Sequence, residues 1–299
     1  MSDRPICSYE GSQYSTEFWN ETRAYEDGAE RIAMRAMLPP QGKRLIEIGA
    51  GFGRLADLYA GYETVVIHDY ARTQLEQAVA RLGETAPGGK PHYLFVQADF
   101  YKLPFASGLF DAVTIIRTLH HAVDAPAVLK GLSEILAPNG ALILEFANKQ
   151  NLKALLRYWA HRQTWSPFDP QPVEFVKLNF DFHPRWIWQQ LEQVGLHREA
   201  IRTVSHFRAG LLKRYLPTGL LVGMDGAVQF TGEFWQWTPS VFTRARAEAQ
   251  KAAAPADLFF VCPECRAPLG SPPQAVFKCS CGRRWERQGA IYNFRDPVV

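Results

Sequence analysis

What the 299-residue sequence lacks narrows it first. No apolar run reaches the ~18 residues expected of a membrane-spanning helix. The opening residues, Met-Ser-Asp-Arg-Pro, carry no signal-peptide core, so a cytoplasmic location is expected. Neither sign of charge dominates: 33 basic and 30 acidic residues leave a net +3, which neither requires nor excludes nucleic acid. Cysteine is sparse over most of the chain. Cys7 stands alone, and the other four of the five lie between 262 and 281, which in a cytoplasmic protein reads as a metal site before a disulfide pair.

What is present is organised around residues 43–54, Lys-Arg-Leu-Ile-Glu-Ile-Gly-Ala-Gly-Phe-Gly-Arg. Leu45, Ile46 and Ile48 read as a buried parallel strand, Gly49, Gly51 and Gly53 as a tight turn, and the residues from Leu55 as a helix. Strand, glycine turn and helix open a nucleotide-type βαβ unit. The third glycine stands one position too early for the dinucleotide fingerprint, and Glu47 puts an acid in the strand. A buried carboxylate needs a partner, and a ligand's ammonium, met directly or through water, suits it. Thr64–His68 form a second strand ending at Asp69, 20 residues after Gly49. An acid there can accept both hydroxyls of a ribose, and it can equally cap the helix expected over 71–82. A third strand, His92–Gln97, leads to Asp99-Phe100, placed to meet an adenine amino group and ring nitrogen. A fourth, 108–117, runs into Arg117-Thr118-Leu119-His120-His121. His121 there reads either as a general base or as a residue that closes the loop. An amphipathic helix over 124–137, a Pro138-Asn139-Gly140 stop and a fifth strand, 141–147, complete the alternation.

Glu-Ile-Gly-x-Gly-x-Gly resembles motif I of the class I S-adenosylmethionine (SAM) methyltransferases, and Gln-Ala-Asp-Phe-Tyr-Lys-Leu-Pro-Phe-Ala is similar to that family's adenine-binding motif. The resemblance runs from 43 to 147. It implies an α/β fold, a doubly wound, seven-stranded Rossmann-like sheet, with SAM as cofactor. On this reading Glu47, Gly49, Gly51 and Gly53 hold the methionine end, Asp69 with Tyr70 the ribose, Asp99 and Phe100 the adenine, and Arg117 faces the same site. An N-terminal helix, residues 11–38, is expected to pack on the sheet, with Tyr14, Trp19 and Tyr25 as possible roofing residues.

Beyond 148 the pattern becomes aromatic-rich. Helices are expected over 151–162, with Leu152, Leu155, Leu156 and Trp159, and over 185–194; strands are expected over 196–207 and 240–246. The insertion 208–238, with Phe230, Phe234, Trp235 and Trp237, reads as packing against the sheet, as a lid, or as a membrane-grazing segment. Arg244 to Pro255 reads as a helical tail becoming a linker. Cys262-Pro-Glu-Cys265 and Cys279-Ser-Cys281 then suggest a four-thiolate structural Zn2+ site. Residues 259–296 resemble the zinc ribbons of methyltransferase activator subunits.

The expected organisation is a helical cap over 1–40, a methyltransferase domain over 41–246, a linker over 247–257 and a zinc ribbon over 258–299. A small apolar or aromatic acceptor fits the 150–240 region. An RNA acceptor is favoured only by the ribbon's basic residues, Arg266, Lys278, Arg283, Arg284, Arg287 and Arg295. Arg-Thr-Leu-His at the fourth strand is neither the Asn-Pro-Pro-Tyr type used on base amines nor a Pro-Cys nucleophile pair. A non-catalytic SAM-binding scaffold is the remaining alternative.

Overall fold

The computed structural model describes residues 4–12, 19, 21–86, 88–89 and 91–298; Tyr14 and most of the first half of the expected N-terminal helix lie outside them. In chain order, α1 (Ala24–Met37) precedes β1 (Gly42–Ile48), β2 (Tyr62–Asp69), α2 (Arg72–Leu82), β3 (His92–Gln97), β4 (Phe110–Ile115), α3 (Ala125–Ile135) and β5 (Leu136–Ala147). There follow α4 (Leu152–Trp159), a small hairpin of β6 (Val173–Val176) and β7 (Asn179–Asp181), α5 (Pro184–Gln193) and β8 (Leu196–Val204). Then come α6 (Gly210–Tyr215), α7 (Thr218–Val228) and β9 (Ser240–Ala247). The cysteine-bearing end contributes β10 (Phe260–Val261), β11 (Pro268–Gly270), β12 (Val276–Lys278), β13 (Arg284–Gln288) and β14 (Ile291–Val298).

The sheet contains the expected seven strands in the order β3-β2-β1-β4-β5-β9-β8, with β9 antiparallel to both neighbours. Its central strands are apolar on both faces because helices cover both faces. Tyr25, Ala29 and Met34 of α1 and Leu75 and Ala78 of α2 pack on one face. Val128, Leu129 and Leu132 of α3 and Ile187 and Leu191 of α5 pack on the other. Strand order reverses between β1 and β4, and the crevice at their C-terminal ends is where a parallel sheet of this type binds ligands.

Three local features differ from the sequence reading. After the glycine turn there is one 3-10 turn, Ala56–Tyr59, instead of a full helix, because β2 already begins at Tyr62. No helix follows β9; residues 252–254 lie against Gly108, and the Ala254 amide donates to its carbonyl at 2.9 Å. The cysteine-bearing end continues the main sheet. β14 pairs in parallel with β3, and β13 and β12 follow, making ten strands. Phe260, Phe277, Trp285 and Phe294 are buried in the same core as Phe105 and Phe110. The apolar side chains of a module this small cannot bury themselves alone, and the flank of the sheet supplies the missing surface.

Candidate functional site

The glycine turn is built tightly. Gly49 has φ +68°, and a Cβ on it would stand 2.3 Å from Thr118 Oγ1. Gly51, at φ +55°, donates its amide to Asp69 Oδ2 at 2.8 Å, while Asp69 Oδ1 accepts from the Ala71 amide at 2.9 Å. Asp69 thus ties the glycine turn to the chain entering α2, whose N-cap residue is Ala71, and each oxygen retains a further lone pair. Burial pushes its carboxyl up to about 6, opposed by those amide bonds. Glu47 lies under the turn, 4% exposed, and its Oε2 has no hydrogen-bond partner. Burial pushes Glu47 up to about 7, with the Arg54 guanidinium pulling the other way.

Gly49, Gly51, Asp69, Tyr70, Phe100, Arg117 and His121 line a common crevice. The other three residues picked out by motif lie just off it. Gly53 turns towards α2, where a Cβ would meet Leu82 at 2.8 Å. Asp99 Oδ1 accepts from the Tyr101 amide at 2.8 Å, and burial raises its pKa. Glu47 stays beneath. Arg117, at φ +54°, donates its amide to Glu145 at 2.9 Å and its Nε to the buried Glu30 at 2.5 Å; Arg54 shares Glu30 at 2.7 Å. Trp19 lies over Arg54, 3.7 Å from guanidinium carbon to ring centroid. Tyr25 is no roof: it is buried and donates to Asp225 at 2.5 Å, tying α1 to α7.

His121 is held at both nitrogens. Nδ1 lies 3.1 Å from the Leu178 carbonyl, which can only accept, so Nδ1 carries the proton. Nε2 then accepts from the Tyr9 hydroxyl at 3.1 Å. Burial lowers the pKa of His121, so the ring is neutral.

Sequence reasoning missed the cover of the crevice. Residues 4–12 form a strap across it. Arg4 pairs with Asp124 at 2.9 Å, Tyr9 bonds His121, and Glu10 accepts from the Arg72 and Thr73 amides at 2.9 and 3.0 Å, at the start of α2. Cys7 and Tyr9 fill the crevice down to about 70 Å³, whereas ligand pockets run to about 300–1,000 Å³. The donor set nevertheless suits a nucleoside with a charged tail. Both nitrogens of buried His68, Oε1 of Gln74 and Gln97, and Glu47 Oε2 are unpartnered; His68 and Gln74 line the crevice itself. No periodic pattern marked the strap, since the contacts that hold it across the crevice, to Asp124, His121 and the start of α2, are long-range.

Tyr9 and Arg117 also line a second, polar cavity of about 670 Å³ with His120, Glu145, Asn148 and Asp181. Burial pushes Asp181 up to about 6 and holds His120 well below its ordinary value, with His121 and Arg117 adding to the latter effect. That cavity shares Asn151, Lys153, Arg157, Arg208 and Pro239 with a cleft of about 1290 Å³ walled by Leu152, Leu156, Trp235 and Trp237. An acid inside the apolar run Leu142-Ile143-Leu144-Glu145-Phe146 was the one signal in the sequence for this second cavity.

At the far end of the chain, the sulfur atoms of Cys262, Cys265, Cys279 and Cys281 all lie within 4.8 Å of one another, a grouping that fits a zinc ribbon.

Comparison with known proteins agrees with this geometry. Residues 46–144 match the methyltransferase domain family. The chain is 30% identical over 110 residues to the O-methyltransferase cnsE of Penicillium expansum, covering 36% of this chain and 38% of that protein. It is 29% identical over 155 residues to the ubiquinone/menaquinone biosynthesis C-methyltransferase UbiE of Pseudomonas putida, covering 48% and 60%. The chain therefore spans less than two thirds of either relative. Among solved structures, the complex between the Haloferax volcanii Trm112 methyltransferase activator and a methyltransferase matches with a TM-score of 0.52 at 15% identity, over 77% of this chain and 94% of that one. Residues 46–144 constitute a methyltransferase domain, carried on the fold of the class I SAM-dependent methyltransferases.

Proposed function

We propose that this chain transfers a methyl group from SAM to a small molecule with a polar reacting end and an apolar body. The observation that carries the reading is continuity. The crevice with Gly49, Gly51 and Asp69 shares Tyr9 and Arg117 with the polar cavity, which in turn opens into the apolar cleft.

When bound, the cofactor supplies a methyl group already activated on a sulfonium. The chain's own residues bind, align and take up a proton. Glu47, with its free Oε2, faces the ammonium, directly or through water, and Gly49 and Gly51 leave the backbone open beside it. Asp69 accepts the ribose hydroxyls on the lone pairs its two amide bonds leave over; Asp99 and Phe100 take the adenine. Alignment of the acceptor against the methyl group can supply up to ~7–11 kcal/mol. The doubly bonded His121 supports a positioning role, holding the strap against the β6–β7 hairpin. Asp181, facing the polar cavity with a pKa near 6, suits uptake of the acceptor's proton. Access for the cofactor requires residues 4–12 to lift.

Residues 258–299 act in this reading as a brace for the 41–246 domain, held by a Zn2+ on four thiolates; metal analysis of the purified chain tests this. Three of the ribbon's five arginines are engaged within the chain, while Lys278, Arg283 and Arg284 are exposed and leave RNA contact to the labelling test. Arg266 donates to the Leu103 and Phe105 carbonyls, Arg287 pairs with Glu84, and Arg295 reaches Glu10 and the Tyr70 carbonyl.

The test uses purified protein, methyl-labelled SAM and a host lysate. Label in the solvent-extractable fraction supports the reading. Label lost to nuclease turns it towards RNA, and the absence of any transfer turns it towards a scaffold.

A further inference from the structure

The rim of the apolar cleft is finished unlike the rest of the surface. Helix α4 has an apolar stripe, Leu152, Leu156 and Trp159, at the spacing of one helical face, and that stripe points outward. The three residues are 51%, 55% and 62% exposed, while the buried side holds only Ala154 and Leu155. Leu152 is joined through its amide to the Trp237 carbonyl at 2.7 Å, and Trp237 stacks on Trp235 at 5.9 Å. Phe234 adjoins that pair, and Leu211 and Tyr215 of α6, whose Gly210 lines the same cleft, are also exposed. A contiguous apolar rim of this kind marks an interaction surface.

Cations prevail along the cleft, although the exposed acids Asp169 and Glu233 lie close by in the chain and Lys149 is buried. Residues 148–168 contain Lys149, Lys153, Arg157 and Arg162 and no acid. Lys153, Arg157, Arg162 and Arg208 line the cleft with no carboxylate among its lining residues. In 205–238 one of the two acids is buried and the other, Glu233, stays exposed beside Phe234 with one oxygen bonded. Asp225 is fully buried against Tyr25 and Gln229, and Glu233 accepts from the Ile201 amide at 2.6 Å. Arg208 and Lys213 pair with Glu26, and Arg214 remains on the exposed face.

We propose that this rim is a membrane-docking surface that seats on an anionic phospholipid bilayer, so that a lipid-tailed acceptor passes from the bilayer into the cleft. Protruding Leu, Phe and Trp flanked by Lys and Arg is the pattern of a segment that lies in the bilayer interface, where anionic headgroups attract the cations. Among the described residues no helix is long and apolar enough to cross a membrane, so contact is from one side. The substrate class rests on reading the cleft as the acceptor site.

The test is co-sedimentation of the full chain with phosphatidylcholine vesicles, with and without phosphatidylglycerol. Binding that requires phosphatidylglycerol, weakens with salt and shifts tryptophan emission to the blue is expected. The substitutions Trp159→Glu, Leu211→Glu and Phe234→Glu lie outside the cleft lining. Together they should lower partitioning at least about tenfold, and Arg214→Glu alone about fivefold. SAM affinity, measured by calorimetry on the same preparations, should be unchanged; its absence in the unaltered chain would count against the cofactor reading, whatever the vesicles show. A folded chain that ignores anionic vesicles overturns the docking surface. So does a triple variant that binds them as well as the parent, or a dimer in light scattering that the triple variant converts to monomer.

Discussion

At one end of the ten-stranded sheet, aromatic residues are inside; at the other they are outside. Phe260, Phe277, Trp285 and Phe294 of the cysteine-bearing end are at most 3% exposed, whereas Trp159, Phe234, Trp235 and Trp237 beside the cleft are all more than half exposed. The charges divide less cleanly, since Lys278, Arg283 and Arg284 of the cysteine-bearing end are exposed. Arg266, Arg287 and Arg295 are spent on contacts with the rest of the chain, while Lys153, Arg162 and Arg214 face outward. Two stretches that look alike in composition therefore do opposite things. One closes a sheet edge that would otherwise offer unpaired backbone groups. The other leaves an edge of the acceptor region open. The candidate site lies between them, and Arg295 reaches it from the closed end through Glu10 and Tyr70.

The largest effect expected from breaking this contrast comes from the closed end. Truncation at 257 would strip β14 from β3 and uncover Phe105 and Phe110, which pack on Phe259 and Phe260; the expected outcome is loss of soluble, folded chain. Cys262→Ser with Cys265→Ser should act the same way more mildly, since a structural zinc site contributes about 10–16 kcal/mol. A truncated chain with the thermal melt of the parent would make the two ends equivalent.

The site between the ends is expected to respond next. Asp69→Ala removes a carboxylate whose charged hydrogen bonds contribute ~1.5–3 kcal/mol each. The SAM dissociation constant should rise at least about tenfold. An unchanged value in calorimetry would remove the ribose assignment.

Glu47 sharpens the contrast between burial that is satisfied and burial that is not. Its pKa in the fold is about 7 against an ordinary 4.5, so the folded chain holds a proton that the unfolded chain releases. The stability this group contributes is complete below about pH 4 and is lost as pH rises through 7. The shift corresponds to on the order of 3 kcal/mol. Glu47→Gln should therefore stabilise the cofactor-free chain at pH 8 relative to the parent, with no gain at pH 4, while weakening SAM binding. Denaturant titrations at the two pH values measure the first effect, and equal curves at pH 8 would contradict it.

The smallest effect compares two glycines. Gly49→Ala drives a Cβ into Thr118 at a positive φ and should cost about 1–3 kcal/mol. Gly210→Ala, at the open rim with nothing within 4 Å, should be neutral or slightly stabilising. Equal melting temperatures for the two variants would mean that the turn has room to yield.

The parts of the site legible in the sequence were those at the ends of the parallel strands, Tyr70, Phe100, Arg117 and His121 among them. Glu47, Gly49, Gly51 and Asp69 are close in the chain, and parallel pairing of Glu47 with Ile67 and Ile48 with His68 brings β1 and β2 into step. His120 was named from the end of the fourth strand, but Tyr9 and Asp181 were not legible, because they join it only after distant segments have folded together. Helix α4 shows the same limit from another side. Its periodicity correctly predicted a helix, and the sequence did not say which way its apolar stripe faces, since a stripe records amphipathicity without naming which medium it meets.

By itself the sequence determined the alternation of strands and helices, the glycine turn with its flanking acids, and the two cysteine pairs. Each of these is set by steric and hydrogen-bonding preferences over a few neighbouring residues. Tertiary structure alone decided that the cysteine-bearing end would extend the sheet, that residues 4–12 would strap the crevice, and that the tryptophans at the cleft would stay exposed. Burial is a property of what lies across space, and a residue's neighbours along the chain do not specify it.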